Sequence, residues 1–272
     1  MVKIPKIVLN RFGQSISKFQ KVLQTAKDRD VNEADTVVIV SDILCEVLGY
    51  DKYIEVTSEF AIRGTYCDIA IKINNKVQYL IEVKAIGLNL KENHLRQAVQ
   101  YAVNQGVQWI MLTNGIFWEV YKIRFEKPIN FDLVCSINFM ELNARDKETQ
   151  DRLFIICREG LIKAAREEYF EKIQSVNKYT IGALLQSETM IKILKRELKK
   201  MSPGVNLQND DITEVLISET LKREVVQGEE AENAKKEVMK FYRKLSRMKS
   251  KKAKTGLEKD PSSMNTMEDL SK

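Results

Sequence analysis

Apolar residues recur along this chain with two different periods, and the change of period divides it. In residues 14–28, Ile16, Phe19, Val22 and Leu23 stand at helical spacing and predict a short leading helix. A second helix is expected over 33–49, capped by Asn32 and closed by Gly49. The runs 53–62, 65–73, 77–85, 107–113 and 116–122 are instead rich in β-branched and aromatic residues and bounded by turn residues, which predicts strands. Asn114-Gly115 between the last two reads as a type I′ hairpin turn. One helix, 90–104, separates the third strand from the fourth, with Asn89 and Glu92 as its capping box and Gly106 as its stop. A further strand over 131–140 completes an α+β pattern, a mixed sheet with helices packed on it.

After residue 146 the pattern turns helical and charged. Helices are expected at 149–175, 183–201 and 210–227, with Pro203-Gly204 separating the last two and Asp210 capping the third. Lys235 to Lys254 holds ten basic residues and one acid, Glu237, and a polar tail expected to be disordered follows from Gly256. The expected organisation is a leading helix (1–30), a sheet domain (31–146), a helical domain (147–230), and a basic helix with its tail (231–272).

Composition changes this picture in three ways. The 272 residues are 44% hydrophobic and 30% charged, enough apolar content for a packed core. The net charge of +6 is uneven: 17 Lys/Arg face 16 Asp/Glu in residues 1–143, but 27 face 22 in residues 144–272. That bias is compatible with nucleic acid without requiring it. Cys45, Cys67, Cys135 and Cys157 stand 22, 68 and 22 residues apart, so no CxxC pair exists and a zinc ribbon or thioredoxin-like site is excluded. Their apolar neighbours predict reduced, buried thiols. No signal-peptide pattern and no long apolar run occurs, so a cytoplasmic protein without a membrane partner is expected. The single histidine, His94, excludes sites built from two or three imidazoles.

The candidate chemistry lies between Asp68 and Lys84. Glu82 and Lys84 are two apart in a strand and share a face. Whether Asp68 joins them depends on hairpin register. Pairing Ile69 with Ile81, Ile71 with Tyr79 and Ile73 with Val77 segregates apolar from polar side chains, sets Asp68 opposite Glu82 and Lys72 opposite Gln78, and predicts a three-residue loop of Asn74, Asn75 and Lys76. Two opposed carboxylates repel unless a cation lies between them, and an all-oxygen pair suits Mg²⁺ or Mn²⁺. Lys84 adds a point charge that can stabilise a phosphorane or position the attacking water. Glu33, heading the apolar stripe of its helix (Val37, Val40, Leu44, Val47), is the choice for a third acid. Gln97 and Tyr101 share a helix face directed away from the stripe of Leu95, Ala98, Val99 and Ala102.

Together, R-G-x-x-x-D (Arg63, Gly64, Asp68), I-E-V-K-A (81–85), Q-x-x-x-Y (Gln97, Tyr101) and L-T-N-G-x-x-W-x-V-Y (112–121) closely resemble the N-terminal nuclease domain of type I restriction-enzyme R subunits. That family lies within the PD-(D/E)XK superfamily, and the resemblance covers residues 30–140. It implies a restriction-endonuclease-like fold in which Asp68, Glu82 and the Val83 carbonyl bind Mg²⁺, Lys84 is catalytic, and Gln97 and Tyr101 contact nucleic acid. Cys67 stands where the family has proline before the aspartate. None of the eleven glycines begins a G-x-x-x-x-G-K-[ST] phosphate loop, so no ATP site is expected, and the chain looks like a stand-alone relative without the family's motor.

The expected function is a metal-dependent endonuclease acting on DNA. The alternatives are a catalytically silent nucleic-acid-binding or regulatory module of a restriction or defence system, and a nuclease for RNA or single strands. Other restriction-system subunits or a second copy are the protein partners that the helical half suggests.

Overall fold

The computed structural model describes residues 3–62, 65–125 and 128–256. Arg63 and Gly64 of the R-G-x-x-x-D pattern and the expected disordered tail after 256 lie outside the described residues. The chain forms two compact units, 1–173 and 174–272.

In the first unit, helix α1 (Lys6–Asp28) begins at Pro5, a residue with no N–H to lose at a helix start. It therefore extends eight residues upstream of the expected 14–28. Val8, Phe12, Ile16, Phe19, Leu23 and Ala26 form its buried stripe, and Val22 falls outside it. Helix α2 (Glu33–Glu46) is capped as expected by Asn32, whose side chain accepts from the Asp35 N–H at 2.9 Å.

Strands β1 (Val56–Ile62), β2 (Thr65–Ile73) and β3 (Lys76–Val83) form an antiparallel meander. Helix α3 (Glu92–Gln105) then carries the chain over to β4 (Trp109–Thr113), which pairs with β3 in parallel. The antiparallel β5 (Phe117–Arg124) and β6 (Asn130–Asn138) complete a six-stranded mixed sheet in sequence order. The Asn89–Glu92 capping box is not made; α3 starts two residues later, with Lys91 at its N-cap, while Gly106 ends it in the left-handed conformation as expected. One apolar layer joins α1 and α2 to the sheet through Phe12, Leu44, Ile69, Ile81 and Trp118. The other joins α3 through Leu95, Ala98, Leu80, Ile110 and Leu112. Strand β4, buried along its whole length between the layers, is accordingly apolar and non-alternating.

The expected helix 149–175 is three pieces: α4 (Lys147–Ile156), α5 (Arg158–Ile162) and α6 (Ala165–Ser175). Cys157 takes extended backbone between the first two, and its thiol accepts from the Gly160 N–H at 3.4 Å. These helices, which the sequence reading placed with the helical region, fold with the sheet. Arg158 Nε lies 2.7 and 2.8 Å from the two oxygens of buried Glu55, and the Arg166 guanidinium stacks on Tyr79 and Trp109.

The second unit is helical: α7 (Lys178–Leu185), α8 (Glu188–Met201), α9 (Asn209–Val215), a π turn over 216–220, α10 (Arg223–Val226) and α11 (Glu229–Gly256). Ser187, accepting from Met190 N–H, caps α8 and splits the expected 183–201 helix. Gln208, not Asp210, is the N-cap of α9; its N–H donates to Asp211 Oδ2 at 2.7 Å. All four cysteines are free. Three are buried with thiols pushed up to about 12 by burial, whereas Cys45 is only half-buried.

Candidate active site

The β2–β3 hairpin sets the geometry. At its tip Asn74 and Asn75 both hold positive φ, 51° and 61°, which asparagine tolerates and a two-residue hairpin turn demands. Ile73 pairs with Lys76 and Lys72 with Val77, so the expected three-residue loop is replaced by a tight turn. A β-bulge between Ile71 and Lys72 then shifts the register, and Ile71 meets Tyr79 and Ile69 meets Ile81 as the burial pattern requires. Turn chemistry decides the tip, core packing decides the site end, and the bulge reconciles them.

That register brings Asp68 alongside Glu82 and Val83. Asp68 Oδ2 accepts from the Val83 N–H at 2.7 Å, so one carboxylate oxygen ties the two strands. Glu82 is 2% exposed, and its Oε1 lies 2.8 Å from Lys84 Nζ. Lys84 also reaches Glu33 Oε1 of α2 at 3.4 Å, and its own N–H extends the parallel ladder to the Thr113 carbonyl. Four of the expected site residues, Glu33, Asp68, Glu82 and Lys84, therefore form one cluster. Glu33 is less inward than expected, with its side chain 46% exposed.

Burial is the largest influence on each of the inner groups. It pushes the Glu82 carboxyl up to about 7, because the Lys84 hydrogen bond only partly offsets lost hydration and Asp68 adds repulsion. It raises Asp68 as well, against the Val83 N–H and Lys84. For Lys84 burial acts downward, yet Glu82, Glu33 and Asp68 outweigh it and the ammonium titrates above its usual value. The surrounding carboxylates thus favour the charged form of Lys84.

Glu33, Ala34 and Val37 of α2, Ser58 and Glu59 of β1, and Asp68 line a cleft of about 480 Å³. Glu59 is an acid the sequence reading passed over. Ser58 pairs with Ile69 and Phe60 with Cys67, so Glu59 stands across from Asp68, with φ at +50°. The signal was available: the two expected strands end at Ile62 and begin again at Thr65, and pairing those two ends sets Glu59 opposite Asp68 by simple counting. His94, used above only to exclude imidazole clusters, is close enough for its proton affinity to feel Lys84 and Glu33. Burial, Lys84 and Lys91 together lower it from 6.5.

Gln97 and Tyr101 are held together, Gln97 Nε2 donating to the Tyr101 hydroxyl at 2.9 Å. Gln97 is exposed as expected. Tyr101 differs from expectation: its ring is half-buried and packs against the apolar layer under α3. No hydrogen bond joins this pair to the four-residue cluster among the described residues.

The Asn114-Gly115 turn supports the same end of the sheet, in a different form from that expected. Gly115 alone carries positive φ (84°), and the Asn114 N–H donates to the Phe117 carbonyl, so the loop residues are Gly115 and Ile116, as in a II′ turn. The buried Asn114 side chain accepts from the N–H groups of Ile116 and Phe117 and donates to the carbonyls of Ile86 and Leu88. The hairpin is thereby tied to the segment that follows Lys84.

Residues 39–137 match the family model described as type I restriction enzyme R protein N terminus (HSDR_N). The resemblance read from the motifs is shown over that span, which holds Asp68, Glu82, Lys84, Gln97 and Tyr101 and stops short of Glu33. Comparison with curated proteins and with solved structures gave no match. No helix among the described residues is long and apolar enough to cross a membrane.

Proposed function

We propose that this protein is a Mg²⁺-dependent endonuclease of the PD-(D/E)XK kind, accepting Mn²⁺, that hydrolyses phosphodiester bonds in DNA. The observation that carries the reading is the convergence of Asp68, Glu82 and Lys84 on one hairpin, with Glu33 closing the cluster.

The cluster suits a divalent cation on its own chemistry. Three carboxylates and one ammonium leave an excess of negative charge, and Glu82, pushed up to about 7 first by burial, is raised further by repulsion from Asp68 and Glu33. Asp68 spends one oxygen on Val83 and Glu82 one on Lys84, which leaves each an oxygen without a protein partner among the described residues. No three His, Cys, Asp or Glu side chains make a complete cage among the described residues. Mg²⁺ needs none, since it is usually held by one or two carboxylates plus waters.

Asp68, Glu82 and the Val83 carbonyl would hold the ion, and Glu33 would fix the Lys84 ammonium. Mg²⁺ supplies activation of a water nucleophile and polarisation of the phosphoryl oxygen. Lys84, always protonated, hydrogen-bonds the phosphate oxygens and opposes the charge that grows on them. Gln97 and Tyr101 contact the nucleic acid beside the cleft. The protein partners that fit are other subunits of a restriction system or a second copy through the helical half.

The test incubates purified protein with plasmid, linear duplex and RNA, in Mg²⁺ and in EDTA, beside Asp68→Ala and Lys84→Ala. Cleavage in Mg²⁺ alone is expected, falling by roughly 10²–10³-fold or more in either variant, the usual scale for losing one electrostatic group. Indistinguishable behaviour of wild type and both variants on every substrate overturns the catalytic reading and leaves a silent binding module. Preferred cleavage of RNA would replace DNA as the substrate.

A further inference from the structure

Helix α11 has two faces of opposite chemistry. Ala231 and Val238 are buried, Tyr242 and Leu245 half-buried, and these positions define the side by which the helix packs within its own unit. At 100° per residue, Lys236, Lys240, Arg243, Lys244 and Arg247 fall within an arc of about 100° centred opposite that side. Together with Met239 they surround one shallow, open depression on the helix surface. The helix continues to Gly256.

A basic face is ordinarily a solvated one, and α8 shows what that looks like. There Lys192 pairs with Glu188, and Arg196 and Lys200 both pair with Glu197, so three of the helix's five cations are held in ion pairs. The stripe on α11 lacks such compensation at three of its cations, Lys236, Arg243 and Lys244. Glu237 is the one acid between Lys235 and Lys254, and it reaches Lys240 only at 3.6 Å. Among the described residues, Lys236, Arg243 and Lys244 form no ion pair. The acids Glu229, Glu230 and Glu232 are confined to the first turn, where they complement the helix dipole.

We propose that this stripe is a binding site for the phosphodiester backbone of a nucleic acid. Lys236 to Arg247 spans roughly 16 Å, and duplex DNA presents about one charge per 1.7 Å of axis, so each cation has a phosphate to meet. An anionic membrane is the poorer occupant. Interfacial helices insert their apolar face, and in α11 that face is already packed against the protein.

The test measures anisotropy of labelled duplex DNA, single-stranded DNA and RNA of one sequence with the full chain in EDTA, at 50–200 mM NaCl. Reading binding without cleavage separates this site's failure from failure of the nuclease reading. The combined variant Lys236→Gln, Lys240→Gln, Arg243→Gln, Lys244→Gln is expected to lose at least about 10-fold in affinity at 50 mM and to lower the log–log salt slope by about 3–4. An α8 control, Lys192→Gln, Arg196→Gln, Lys200→Gln, which exchanges only ion-paired cations, is expected to stay within about 2-fold of wild type, since exchanged pairs release few counterions. Circular dichroism confirms that both variants keep their helices. The polymer bound most tightly identifies the nucleic acid. Wild-type affinity and slope in the α11 variant overturn the proposal, as does tighter binding to phosphatidylserine vesicles than to any of the three polymers.

Discussion

Glu82 is the residue on which stability and chemistry pull in opposite directions. Its carboxyl ionises near 4.5 when exposed and about 7 in the fold. Between those values the folded state holds more protons than the unfolded one, so this group lowers stability as pH rises through the window. At roughly 1.4 kcal/mol per pH unit of displacement, the full penalty above neutral pH is of order 3 kcal/mol. In EDTA, the melting temperature of Glu82→Gln relative to wild type is expected to climb between pH 4.5 and pH 8, and Mg²⁺ is expected to close that gap by raising wild type alone. A gap independent of pH would show that the site is not charge-strained. Asp68 displaces in the same direction and reinforces the trend. The identities of these groups were legible in the sequence because strand parity alone puts Glu82 and Lys84 together. What was not legible was their inequality: burial separates a 2%-exposed Glu82 from a half-exposed Glu33, and burial depends on neighbours far away in the chain.

At the scale of elements, sequence reading succeeded where periodicity is long and failed where a single residue breaks it. Every strand and the α2 cap were expected, because β-branched runs and an Asn before an apolar stripe are local signals. The break at 157 was not, because its cause is a contact between turns. A Cβ on Gly160 would lie 1.7 Å from the Phe154 carbonyl oxygen, so only glycine lets α5 turn back against the end of α4. Gly160→Ala is expected to cost roughly 1–3 kcal/mol, the range for forced overpacking, measurable by urea denaturation. A neutral result would mean that the α4–α5 junction has room to relax. Asn114→Ala tests a second junction. It leaves two N–H groups, the Ile116 one buried, and two carbonyls without their side-chain partner, at about 1–3 kcal/mol for each group that water cannot reach. Because these bonds hold the segment after Lys84, the variant is expected to lose the proposed nuclease activity beyond its loss of stability. Full activity at a temperature where it remains folded would show that the turn serves only the sheet.

For the molecule as a whole, the two units differ in what holds them together. The sheet unit buries large side chains in both layers, among them Trp118, Tyr79, Phe12 and Phe139. In the helical unit the buried apolar residues among those described are small or β-branched: Ala183, Ile191, Ile212, Val225, Val226, Ala231 and Val238. Met201, Phe241 and Val176 there remain more than half exposed. At ~25 cal/mol per Å² of apolar surface removed from water, the smaller core gives the helical unit the lower opening free energy. Hydrogen exchange is therefore expected to run faster through α7–α10 than through β3–β5, and calorimetry to resolve a lower transition for the helical unit. If α11 carries the phosphate-binding stripe, saturating nucleic acid in EDTA moves that lower transition upward, by about 2.7 kcal/mol of added stability at 100 times the dissociation constant. The upper transition moves less, since in the absence of metal the acidic cluster of the sheet unit repels phosphate. Equal upward shifts of both transitions would place the main contact on the sheet unit instead.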